Sequence, residues 1–85
     1  MNLRRLEYFI AVADEESMRS AARRLHISAP SLSQQIKVLE QEVGGELLER
    51  LPRGIRLTSA GRALLPEARA AVLSAQSSAR SARAA

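Results

Sequence analysis

Met18 to Lys37, MRSAARRLHISAPSLSQQIK, is the stretch that most narrows what this chain can become. Ala21, Ala22 and Leu25 recur at helical spacing and stop at His26-Ile27-Ser28. Leu32, Ile36, Leu39 and Val43 resume at i, i+4, i+7 and i+11, the spacing of one buried helical stripe. Alanines suit two helices that cross steeply, because small side chains let the axes approach. Ile27 closes the corner from inside. Ser28 can cap the second helix, since its hydroxyl can take a free first-turn amide. Pro30 falls in that first turn, where a missing N–H costs little. The pattern predicts a helix-turn-helix over about residues 18–37, whose second helix is of the kind that enters a DNA major groove. A helical hairpin inside an ordinary bundle would share the apolar spacing. The outward face separates the two. Pro30, Gln34, Lys37 and Gln41 lie opposite the stripe with Ser33 on its flank, and none is acidic. Such a face can donate to phosphates and base edges. Glu40 and Glu42 come later, away from the helix start.

Size and composition set the frame. With 85 residues the chain can build one small domain with a modest core. Hydrophobic residues make up 46% and aromatics only 2%, so aliphatic and alanine packing must supply that core. There is no cysteine, which excludes a disulfide framework and a thiolate metal site and fits a reducing cytoplasm. The net charge of +4 is unevenly spread: residues 1–46 carry a net −1 and residues 47–85 a net +5, all of the latter bases being arginine. Basic excess beside a helix-turn-helix is the electrostatic footprint of phosphate binding. No stretch is long and apolar enough to span a membrane. Arg4-Arg5 before Phe9 to Ala13 resembles the start of a signal peptide. Glu7 interrupts the apolar run and Asp14-Glu15-Glu16 stands where cleavage would occur, so the segment reads as a cytoplasmic helix.

Asn2 can cap a first helix over about Leu3 to Glu15, with Leu6, Phe9, Ile10 and Ala13 as its inner stripe. Tyr8 and Val12 lie on another side, either as exposed singles or as a contact for a neighbouring helix. Asp14, Glu15 and Glu16 read as a solvated run between helices rather than a catalytic carboxylate pair. Ser17 can cap the next helix, which carries Arg19, Arg23 and Arg24 on its polar faces. Gly44-Gly45 is a strong helix stop, because glycine takes the left-handed C-terminal geometry cheaply. Pro52-Arg53-Gly54 is turn chemistry and Ile55-Arg56-Leu57-Thr58 alternates with period two. A two-stranded wing over about residues 47–58 follows, with Arg53 near its tip and Arg50 and Arg56 on its strands. A basic tip on a narrow turn can reach a minor groove, where the negative potential is deepest over A·T-rich DNA. Thr58 or Ser59 caps a last helix that Pro66 should bend. Its stripe of Leu64, Ala68, Ala71, Val72, Ala75 and Ala79 is too long to bury itself on so small a domain. It must pair with a copy of itself or fray.

The chain resembles the LysR-type transcriptional regulators over nearly all its length. The matching residues are Leu6-Glu7-Tyr8-Phe9, Ser17, Ala21-Ala22-Arg23-Arg24-Leu25, Ile27-Ser28, Pro30-Ser31-Leu32-Ser33, Gln35-Ile36, Leu39-Glu40, Gly44, Leu47-Leu48-Glu49-Arg50, Leu57-Thr58, Ala60-Gly61 and Leu64-Leu65-Pro66. The resemblance implies a mainly α fold: a winged helix-turn-helix over 1–58 and a linker or dimerisation helix over 59–85. It also implies a C-terminal effector-binding domain of periplasmic-binding-protein type, which responds to a small-molecule inducer and which this chain is expected to stop before. Full-length members are commonly tetramers. In the family the start of the recognition helix reads bases and the wing arginine enters the minor groove. Those roles carry over to Pro30, Ser31, Ser33, Gln34 and Arg53. Three positions depart from the pattern. Ala29 stands where a base-touching glutamine is usual, Gln34 where arginine is common, and Met18 where phenylalanine is usual.

The expected base-reading set is therefore Ala29, Pro30, Ser31, Gln34, Lys37 and Arg53. The expected phosphate-binding set is Ser17, Arg19, Ser28, Ser33, Arg50 and Arg56. Leu64, Ala68, Val72 and Ala75 are the expected dimer contact. Gln34 is the long neutral amide of the outward face, able to give and accept a hydrogen bond at adenine's N6 and N7. The expected function is sequence-specific binding of double-stranded operator DNA by a dimeric bacterial regulator in the cytoplasm, with no cofactor, metal or membrane involved in this stretch. A winged helix that binds proteins instead is the alternative, and salt-dependent binding to duplex DNA separates the two. An enzyme is excluded on inventory: the single histidine, His26, sits in the helix-turn-helix corner, with neither a nucleophilic cysteine nor a ligand cluster beside it.

Overall fold

The computed structural model describes residues 1–84. The chain runs α1 (Leu3–Glu15), α2 (Met18–Leu25), α3 (Ala29–Val43), β1 (Leu48–Leu51), β2 (Gly54–Leu57) and α4 (Ser59–Ala84). It is a mainly α fold with a two-stranded antiparallel wing, as expected. Ala85, the last residue of the expected linker segment, lies outside the described residues.

Local signals set the helix ends. Asn2 accepts from the Arg5 amide at 2.8 Å, Ser17 from the Ser20 amide at 3.2 Å and Ser28 from the Ser31 amide at 3.2 Å. Each thereby satisfies one otherwise free first-turn donor. Glu16, His26 and Gly44 end the first three helices in the left-handed region. Only Gly44 takes that geometry without a Cβ penalty. Thr58 settles the start of α4: its hydroxyl accepts from the Gly61 amide at 3.1 Å and donates to the Glu46 carbonyl at 2.7 Å.

One core joins all the elements. Leu6, Phe9, Ala11 and Val12 of α1 meet Ala21 and Ala22 of α2, Leu32, Ile36 and Leu39 of α3, Leu47, Leu48 and Ile55 around the wing, and Ala68 of α4. Two stripes differ from expectation. Val12 is fully buried, while Ile10 and Ala13 are only half-buried. The cause is that α1 packs against α2, α3 and α4, so its buried face is wider than one stripe. Val43 is 38% exposed, because at the end of α3 it borders an open hollow shared with Leu47, Ala60 and Leu64.

Close backbone contacts fix the wing and α4. The Ile55 amide donates to the Glu16 carbonyl at 3.2 Å, docking β2 on the turn between α1 and α2. The Thr58 amide donates to the Leu47 carbonyl at 3.0 Å. Gly61 lies against that same carbonyl, where a Cβ would stand 2.3 Å from the oxygen.

Candidate nucleic-acid interface

The start of α3 presents a polar face. Pro30, Ser31, Gln34 and Lys37 are exposed, while Leu32 and Ile36 hold the opposite side in the core. Ser28 caps the helix, and its hydroxyl shares a hydrogen bond with the Ser31 hydroxyl at 2.8 Å. Ala29 is half-buried and packs in part against the core, so its methyl offers less outward surface than its neighbours.

The wing stands beside this face. Its strands pair Leu48 with Leu57, Glu49 with Arg56, Arg50 with Ile55 and Leu51 with Gly54. Pro52 and Arg53 form the exposed tip. Cross-strand partners share a face. Arg50 and Ile55 therefore share one face and Glu49 and Arg56 the other. From its face Arg50 reaches α3 and donates to the Ser33 hydroxyl at 2.8 Å. Two residues of the expected phosphate set thus hold each other. Arg56, a third, is engaged otherwise: its fork donates to Glu49 at 2.9 and 3.3 Å. That hydrogen bonding raises its pKa further above the usual arginine value. Both partners are well exposed, so the pair is weak and a phosphate must displace Glu49 to use Arg56.

Ser17, Arg19 and Arg50 line one hollow, together with Gly54 and Ile55 of the wing. The N-terminus of α2 opens into it, and free first-turn amides there favour an anion. Three residues of the expected phosphate set are thereby gathered. Gly54 makes this closeness possible: its φ is +116°, and a Cβ would lie 2.6 Å from the Glu16 carbonyl.

Glu40 was not singled out from the sequence. Its carboxylate accepts from the Leu47 amide at 2.7 Å and from the Leu48 amide at 3.4 Å. It therefore ties the far end of α3 to the root of the wing. A carboxylate one turn before a Gly-Gly helix stop, with the apolar Leu47-Leu48 just beyond, is the signal that could have shown it. Arg5 performs a similar service for α1, donating to the Gln35 side chain of α3 at 2.9 Å.

The expected dimer stripe is divided. Ala68 is 1% exposed and packs within the chain. Leu64 and Val72 are half-buried against the same core, and Ala75 is half-buried. The large apolar side chain that α4 exposes is Leu73, at 59%. Among the described residues no three His, Cys, Asp or Glu groups gather where they could hold a metal, and no helix is long and apolar enough to cross a membrane. His26 is an exposed helix end whose amide reaches the Ala22 and Arg23 carbonyls.

The family model for bacterial regulatory helix-turn-helix proteins of the lysR family matches residues 3–62. The HTH-type transcriptional regulator TfdT of Cupriavidus pinatubonensis is 45% identical over 85 residues, all of this chain and 37% of that protein. ClcR of Pseudomonas putida is 54% identical over 69 residues, 81% of this chain and 24% of ClcR. The chain therefore spans well under half the length of these relatives. A crystal structure of a CbnR DBD–DNA complex matches with a TM-score of 0.94 at 48% identity, over 99% of this chain and 97% of that one. A BenM DBD complex with catB site 1 DNA matches with a TM-score of 0.93 at 37% identity, over 98% and 93%.

Proposed function

The chain belongs to the LysR family of bacterial regulatory helix-turn-helix proteins, and from that premise we propose that it binds double-stranded operator DNA sequence-specifically. It is a regulatory chain and not an enzyme. Residues 1–58 form the DNA-binding unit. Residues 59–84 form a linker helix that joins two copies through the accessible parts of Leu64, Val72 and Ala75. The whole protein then acts in the cytoplasm and answers a small-molecule effector bound outside this chain.

One observation carries the reading. The outward face of α3 from Pro30 to Lys37, free of acids and bearing Ser31, Gln34 and Lys37, stands directly beside a wing that bears Arg50 and ends in Arg53. Relatives that superpose over nearly the whole chain were solved as DNA complexes, which supports the same use of this face here. Gln34 and Lys37 enter the major groove, and Arg53 enters the flanking minor groove. Ser17, Arg19, Ser28, Ser33 and Arg50 hold phosphates. Arg56 joins them once Glu49 is displaced.

Selection from a random duplex pool gives the site, and binding to its single-base variants tests the roles. Gln34→Ala is expected to cost about 1–3 kcal/mol on the best site and to relax preference at one base pair per half-site. Arg53→Ala is expected to reduce the salt slope by roughly 1, with the greater loss on A·T-rich flanks. If Gln34→Ala lowers every affinity by one common factor, Gln34 does not read bases. Equal Arg53→Ala losses on both kinds of flank assign that arginine to the backbone alone.

A further inference from the structure

Asp14 belongs to the acidic run that the sequence shows as solvated, yet its two oxygens serve two different helices. Oδ1 accepts from Arg69 Nη2 of α4 at 2.6 Å, and Oδ2 accepts from Arg24 Nη1 of α2 at 3.3 Å. Glu15 gives Arg24 a second partner at 3.4 Å. One carboxylate at the end of α1 therefore clasps both a helix of the helix-turn-helix and the long helix that leaves it.

The apolar contact between α1 and α4 cannot do this work alone. Its α4 side is built from Leu64, Leu65, Ala68, Ala71 and Val72. Dispersion and area burial are non-directional, and alanine offers little relief for a neighbouring ridge to grip. Such a contact, with the start of α4 pinned at Thr58 and Gly61, holds the helix against α1 but supplies no directional tether further along it. A charge-assisted hydrogen bond is short and directional. Arg69 follows Ala68 and so lies about 100° round the helix from it, at the edge of the contact where a tether resists rolling. The lowered pKa of Asp14, due first to the Arg69 hydrogen bond, agrees with a carboxylate held ionised in this place.

We infer that the Asp14–Arg69 pair sets the direction in which α4 leaves the DNA-binding unit, and thereby the half-site spacing that a dimer joined along α4 accepts. Neither residue touches DNA in this reading, so they are positioning residues for spacing specificity. The inference rests on the dimer proposed above. From Arg69 to Ala84 α4 runs on for roughly 22 Å at 1.5 Å per residue. A swing of ~10° at the pair moves the far end by roughly 4 Å over that length. One base-pair step is about 3.4 Å, so a small change at the clasp is worth a whole step of spacing.

The test uses this chain and duplexes carrying two copies of the selected half-site, with the spacer varied one base pair at a time, plus a duplex with a single half-site. Four variants are compared: Asp14→Asn, Arg69→Gln, Arg69→Lys and Arg24→Gln. The parent is expected to prefer one spacing. Asp14→Asn and Arg69→Gln are expected to shrink the ratio between best and neighbouring spacings by about two- to fivefold, the range for an exposed ion pair. Their single-half-site affinity should stay as in the parent. Arg69→Lys should restore part of the ratio, and Arg24→Gln should leave the ratio unchanged. A spacing profile unaltered in Asp14→Asn and Arg69→Gln overturns the inference. So does a loss that appears equally on the single half-site, which marks a merely structural role. A parent profile that is flat across spacings, with normal single-half-site binding, overturns the dimer reading beneath it.

Discussion

The two halves of α4 share one helical stripe and meet opposite fates. From Ser59 to Val72 the helix is locked: Gly61 and Ala68 are buried, and Leu64, Leu65, Ala71 and Val72 pack against the core. From Leu73 to Ala84 every residue is exposed except the half-buried Ala75. Alanine recurs through both stretches, five times in the first and four in the second, and the same helical stripe runs through both. The first adds Leu64, Leu65 and Val72, where the second adds four serines and Leu73 alone. What also changes is the supply of a neighbour. α1 has 13 residues and α4 has 26, so at 1.5 Å per residue the support is roughly 20 Å long and the supported helix roughly 39 Å. A helical stripe states which side can be buried. Whether it is buried depends on the length of the element that receives it.

Four substitutions sharpen this contrast. The largest effect is expected from Ala68→Glu, which places an unpaired carboxylate in the sealed contact and should cost about 3 kcal/mol or more. Chemical denaturation measures it, and a loss within experimental error would show that the α1–α4 contact opens easily. Gly61→Ala comes next. Its Cβ would sit 2.3 Å from the Leu47 carbonyl oxygen, so backbone must move. About 2 kcal/mol is the expected loss, within the range for overpacking, and an unchanged unfolding midpoint would contradict the tight seat.

A smaller, pH-dependent effect is expected at Asp14. Its pKa is lowered in the folded chain from 3.8, first by the Arg69 hydrogen bond. A carboxylate with a depressed folded pKa stabilises above its unfolded value, and that contribution is lost as pH falls through the folded value. The gap in melting midpoint between parent and Asp14→Asn should hold near neutral pH and close in strong acid, below both pKa values. A gap of constant size down to about pH 2 would assign the effect to something other than ionisation. The smallest effect belongs to the free half. Ser77→Glu should change stability by less than about 0.5 kcal/mol, since Ser77 is exposed and lies opposite the stripe of Ala75 and Ala79. A large loss there would reveal a partner for that face in solution.

Sequence and structure agree best where one residue decides a local outcome. Asn2, Ser17 and Ser28 cap their helices through their own hydroxyl or amide oxygen, and Gly44 ends α3, because each needs only the next few residues. Pro52-Arg53-Gly54 makes the wing turn for the same reason. The outward row of Ser31, Gln34 and Lys37 follows from periodicity once Leu32 and Ile36 are known to face inward. Agreement fades where two distant segments must meet. Val12 is buried because α1 is enclosed by three helices, which its own spacing does not report. Arg56 is tied to Glu49 through strand register. Ala68 fills the chain's own core, and Asp14 clasps Arg69, 55 positions away in sequence, because α4 folds back on α1. Glu40, which the sequence sets only as an acid away from the helix start, meets the Leu47 and Leu48 amides across the turn that follows α3.

Glu40 also bears on how such a protein can change its target. Along α3 the exposed Ser31, Gln34 and Lys37 are the readers we propose, while Leu32, Ile36, Leu39 and Glu40 fasten the helix to the core and the wing. The two duties fall to different residues of one helix. Exchanging Ser31, Gln34 and Lys37 together is therefore expected to redirect the preferred sequence while the thermal midpoint stays where it was. Lineages and engineers alike can rewrite the message here and leave the instrument that delivers it intact.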